Sequence, residues 1–74
     1  MMVNLVGGPL AGQRANVTPW TDEYATPMLP VDFIAWALGL PTLEVRDERF
    51  LFAVYRRAAG EVSRRMVFLH MEVR

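Results

Sequence analysis

Between residues 49 and 73 the chain carries its densest supply of aromatic and branched apolar residues, with a clear turn in the middle at Ala58, Ala59 and Gly60. Phe50, Leu51, Phe52, Val54 and Tyr55 precede the break; Val62, Met66, Val67, Phe68 and Leu69 follow it. Aromatic and branched residues on both sides of a glycine-bearing turn predict a long β-hairpin, with strands at about 49–57 and 61–73. Gly60 takes positive φ at no steric cost, which suits a three-residue loop closed by a glycine bulge. That register sets Arg57 opposite Glu61, Tyr55 opposite Ser63, Ala53 opposite Arg65 and Leu51 opposite Val67. A two-residue loop would slip the pairing by one and send the side chains to the other face, so it is the less favoured reading. In the favoured register both faces are apolar at the base of the hairpin and arginine-rich toward its tip. A sheet over a single core usually alternates apolar and polar positions, so this hairpin calls for cover on both sides.

The remaining pattern is sparser. Residues 2–6 and 12–17 read as an N-terminal hairpin joined through Gly7, Gly8, Pro9, Leu10, Ala11 and Gly12. No helix opens after these glycines and no Lys-Ser/Thr pair follows, which argues against a phosphate-cradling loop. Three prolines between residues 18 and 30 point to irregular structure rather than a central strand or long helix. Trp20, Tyr24 and Met28 in that stretch either close the core across the sheet or form aromatic anchors of a partner-docking loop. Residues 31–38 form the helix candidate: Pro30 and Asp32 suit its start, and Gly39 and Pro41 its end. Phe33, Ile34, Trp36 and Leu38 make it apolar nearly all round, hence buried or an interface element; a short strand is the competing reading. Residues 42–47 alternate and suggest a short strand. Asp47 and Glu48, between Arg46 and Arg49, suggest a salt-bridged corner leading into the C-terminal hairpin. The expected fold is α+β, mostly β: one small domain, residues 1–74, with a small antiparallel sheet built on the two hairpins and one short helix.

Composition sharpens this. A chain of 74 residues buries a modest share of its surface and often needs a disulfide, a metal or a partner. It has no cysteine and one histidine, so neither a disulfide nor a histidine-built zinc site is expected. The hydrophobic share, 53%, exceeds the usual ~45–50% and points to oligomerisation or docking on a larger body. No apolar run approaches the ~20 residues of a membrane span, and the start lacks the pattern of a signal peptide; the expected location is cytoplasmic. Net charge is zero, yet residues 1–48 carry two arginines against six acids, and residues 49–74 six arginines against two acids. The halves either neutralise each other within one fold or let copies stack head to tail. All basic residues are arginine, the side chain suited to bidentate ion pairs.

Leu5, Val6, Gly7, Gly8, Pro9, Leu10, Ala11 and Gly12 resemble the opening Leu-Val-Gly-Gly-Pro-x-Asp-Gly of small proteins encoded by tailed bacteriophages and prophages. Tyr55-Arg56-Arg57 and Phe68-Leu69-His70 are similar to the ending of such proteins. Ala11 stands where they usually carry Asp, so a role for that carboxylate does not carry over. The resemblance implies a phage setting, with incorporation in a virion as one outcome, and no particular activity.

No catalytic or cofactor constellation is apparent. His70 has no serine, cysteine or carboxylate predictably beside it except Glu72, and two residues do not make a site. The expectation is therefore a non-enzymatic structural or accessory protein without cofactor or metal. Its partners would be copies of itself or a larger capsid, portal or tail protein, met through Arg56, Arg57, Arg64, Arg65, Tyr55, Trp20, Tyr24 and Trp36. The alternative is a small arginine-tipped regulator or inhibitor that binds nucleic acid or a host protein. Against nucleic acid stand the zero net charge and Glu61 amid the arginines.

Overall fold

A computed structural model describes residues 1–39, 48–58 and 64–74. It contains five strands and one helix: β1 (Met2–Val6), β2 (Arg14–Asn16), β3 (Glu23–Pro30), α1 (Val31–Ala37), β4 (Phe50–Arg57) and β5 (Arg65–Val73). The strands form a single sheet in the order β2-β1-β5-β4-β3. The fold is thus α+β and mostly β, as the pattern predicts. It departs from an all-antiparallel sheet at one seam, where β1 runs parallel to β5 with Leu5 beside Met66.

The N-terminal hairpin forms as expected, with Val3 paired to Ala15. Gly7, Gly8 and Gly12 all have positive φ, which is what the tight return requires. Met1 closes the open end of the hairpin, its amino group donating to the Val17 carbonyl at 2.8 Å.

Residues 23–30 are a strand, not the irregular segment expected from their prolines. β3 is an outer strand of the sheet, where a proline without an N–H can face solvent. A bulge falls between Pro27 and Leu29, and α1 starts directly after Pro30. The helix reading of residues 31–38 holds. Asp32 sits in its first turn, and it ends at Gly39, whose φ of 70° supplies the left-handed cap. It buries none of its residues fully, so it is not the buried helix that an all-round apolar pattern allows.

The C-terminal hairpin exists with a different register. Arg57 lies opposite Met66 rather than Glu61, Tyr55 opposite Phe68 rather than Ser63, Ala53 opposite Met71 and Leu51 opposite Val73. β5 runs from Arg65 to Val73. A bulge between Val54 and Tyr55 places Leu69 out of step. The expected Gly60 turn, the start of the second strand at residues 61–63 and the strand at residues 42–47 lie outside the described residues, as do Arg46 and Asp47 of the proposed corner.

The core lies at one end of the sheet. Val3, Leu5, Ala15, Ala53, Tyr55 and Met66 are buried together, with Leu10, Val17, Tyr24, Met28 and Phe68 packed around them. β4 is the best-covered strand: Ala53, Val54 and Tyr55 are buried in succession, so part of it is covered on both faces. The rest of the molecule is thin. Its extents are 48 × 19 × 17 Å and its radius of gyration is 14.9 Å, against about 11 Å for a compact domain of this length.

Candidate functional site

Tyr55 is the hinge between core and loop. Its hydroxyl donates to the Gly7 carbonyl at 2.7 Å and accepts from the Leu10 N–H at 2.9 Å. Its ring meets Phe68 edge-on, with centroids 5.5 Å apart. The glycine loop therefore folds over the core face of the sheet instead of continuing beside β5. Tyr55 has no exposed surface; it is placed inside the protein, not among the surface groups the sequence put it with.

The arginines divide by task. Arg57 is half-buried and donates to the Thr21 carbonyl through Nε at 3.0 Å and Nη2 at 2.8 Å. Its backbone N–H donates to Asp22 at 2.8 Å, so Arg57 staples the turn at residues 18–21 onto β4. Arg56 is exposed and lies opposite Glu23 of β3. Arg64 and Arg65 are exposed too, but they sit at the parallel seam. The Arg64 carbonyl accepts from Asn4 at 2.7 Å, and Arg65 is the register partner of Asn4. The revised register thus ties this end of the hairpin to β1.

The aromatic candidates separate as well. Tyr24 pairs with Tyr55 and packs against the core, as does Met28. Trp20 does not: it is 79% exposed. Trp36 is 69% exposed and stacks on Phe33, whose ring is tilted 41° at a centroid distance of 5.8 Å.

Beyond the core, the sheet presents two unlike faces. One carries an ionic chain: Arg74 donates to Glu72 at 2.6 Å and to Glu23 at 2.8 Å, with its guanidinium 5.8 Å from the Phe52 ring centre. The hydrogen bond from Arg74 holds the Glu23 carboxyl below the ordinary glutamate value, helped by the charges of Arg74, Arg56 and His70. Arg74 is pushed up in return, by Glu23 first and then Glu72. The other face continues the core side. Leu29, Met71 and Val73 are exposed there, grouped by the register that puts Leu51 between Leu29 and Val73. Sequence reasoning missed this patch because it assigned β5 a different set of neighbours.

Among the described residues, no group of three or more histidines or acids could hold a metal ion. No helix among them is long and apolar enough to cross a membrane. Comparison with known protein families, curated proteins and solved structures returns no match.

Proposed function

We propose that the protein is a non-enzymatic component of a phage-like assembly and works through protein–protein contacts, beginning with copies of itself. The observation that carries this reading is the exposed apolar end of the sheet. Leu29, Leu69, Met71 and Val73 of the sheet and Phe33 and Trp36 of α1 are all exposed in a chain without a disulfide. Leu29, Leu51 and Val73 are register neighbours; exposed apolar side chains grouped on a surface are characteristic of interaction sites, and association returns what a small domain cannot bury alone. The phage setting, with the host cytoplasm as the place of synthesis and a particle as destination, rests on the resemblance of residues 5–12. The exposed Arg56, Arg64 and Arg65 are the feature that would favour nucleic acid instead.

Sedimentation equilibrium from low to high micromolar protein at about 0.15 M salt tests the reading, alongside titration with duplex DNA. Reversible association, a melting temperature that rises with protein concentration and weak DNA binding are expected. A compact monomer with a concentration-independent melting temperature and submicromolar duplex binding would overturn it in favour of the arginine-based alternative.

A further inference from the structure

The sheet protects its two outer strands and leaves a third edge open. β2 is three residues long. β3 carries Pro27, Pro30 and a bulge, devices that discourage a further strand from pairing. β5 is bordered by β1 only as far as Val67. Among the described residues, nothing pairs with residues 69–73 on that side.

The backbone there is turned outward. Phe50 and Arg74 exchange both backbone hydrogen bonds, at 2.8 and 3.0 Å. In an antiparallel ladder the bonded pairs then recur every second residue, at Phe52 with Glu72 and at Val54 with His70. The N–H and C=O groups of Met71 and Val73 consequently point away from β4, toward the open edge. The stretch contains no proline, lysine or arginine, the bulge in β5 falls at its first residue, Leu69, and its side chains are accessible: Leu69 is 49% exposed, Val73 46% and Met71 38%.

Its order names the occupant. Residues 69–73 read Leu-His-Met-Glu-Val. Laid antiparallel against a second copy and centred on Met71, Leu69 faces Val73, His70 faces Glu72 and Met71 faces itself. Apolar meets apolar on one face, and imidazole meets carboxylate on the other. A parallel pairing or a one-residue slip sets His70 against His70 or against an apolar side chain. Tyr55 and Phe68 hold the neighbouring glycine loop over the core face.

We infer that residues 69–73 of β5 pair antiparallel with the same residues of a second copy, about a two-fold axis at Met71, joining two sheets into one. The inference rests on the self-assembly reading above and specifies its first contact.

The experiment places like charges on the axis. Met71→Lys and Met71→Glu are made separately, and sedimentation equilibrium is run on each variant and on their equimolar mixture. Like charges directly opposite repel across a strand pair, so each variant alone is expected to dissociate about tenfold or more readily than the parent. The mixture is expected to regain the parent's affinity as a one-to-one heterodimer, seen by native mass spectrometry. Far-UV circular dichroism reports whether each variant is folded. Met71→Cys gives a second, charge-free readout in a chain that has no other cysteine. Cα atoms about 5.5 Å apart in a bonded pair lie within disulfide reach, so oxidation should link copies through residue 71 faster than through an exposed Leu29→Cys control. Undiminished association of both charge variants, a mixture that fails to recover, or no preference for cross-linking at 71 overturns the seam and leaves self-assembly standing. A parent chain that stays monomeric at high micromolar concentration overturns both.

Discussion

Replacing Gly8 by alanine tests the loop on which the core closes. Gly8 has φ +64°, and a Cβ there would lie 2.9 Å from Phe68 Cβ and closer still to the ring carbons Cγ and Cδ1. Two costs follow. A side chain in the left-handed region is strained by roughly 1–2 kcal/mol. The clash falls on the near end of Phe68, which a simple ring rotation does not relieve, and overpacking of this kind costs roughly 1–3 kcal/mol. The sum, about 2–5 kcal/mol, compares with a total stability of roughly 4–11 kcal/mol at ~0.05–0.15 kcal/mol per residue. A fall in melting temperature of roughly 8–40 °C is expected at ~4–8 °C per kcal/mol. Gly12→Ala is the built-in reference. Gly12 has φ +85° and no atom within 4 Å of an added Cβ, so it incurs the backbone strain alone, about 1–2 kcal/mol. Urea unfolding of both variants isolates the steric part by difference. Adding Phe68→Ala to Gly8→Ala should recover about 1 kcal/mol relative to additivity, since contacting residues couple. Equal destabilisation by Gly8→Ala and Gly12→Ala, within about 0.5 kcal/mol, would refute the argument that Gly8 is required by Phe68.

The other expectations concern single contacts. Tyr55→Phe leaves the Gly7 carbonyl and the Leu10 N–H without their partner and should cost about 1–3 kcal/mol in chemical denaturation. Arg57→Gln should release the turn at residues 18–21, accelerating amide exchange at Thr21, whose N–H bonds Thr18 at 3.1 Å, and lowering stability by about 1–2 kcal/mol. Glu23 has a lowered folded-state pKa through its hydrogen bond with Arg74. Its stabilising contribution is therefore complete above the ordinary glutamate value and is lost as pH falls through the folded one. Melting temperatures across the acid range should fall less steeply for Glu23→Gln than for the parent, and identical slopes would contradict the Glu23–Arg74 link.

Local signals in the sequence located most of the elements. The glycine loop announced the N-terminal hairpin, and Asp32 and Gly39 bracketed the helix. β3 escaped because Pro27 and Pro30 argue against a strand only where neighbours flank it on both sides. The hairpin register escaped for a different reason. A strand apolar on both faces has no alternation to pin its pairing, and the bulge at Leu69 changes which residues share a face on either side of it. The role of Arg57 was hidden because its partners are backbone carbonyls, which no sequence pattern displays. Trp36, on a helix whose pattern allowed either burial or an interface, lies on the surface, while Tyr55 passed inward because its hydroxyl has two polar partners waiting beneath the loop.

The parallel seam also governs the order in which the protein can be made. Leu5 finds its neighbour Met66 only after sixty further residues have been synthesised. Until then β1 has β2 as its sole partner, and a two-stranded hairpin is marginal in water. Closing a loop of that length costs roughly 4 kcal/mol in chain entropy, a cost met before the seam returns anything. Contacts so distant in sequence slow folding toward the millisecond-to-second range. The N-terminal segment therefore waits, unsealed, until β5 has been made, and the seam cannot close before that strand is available.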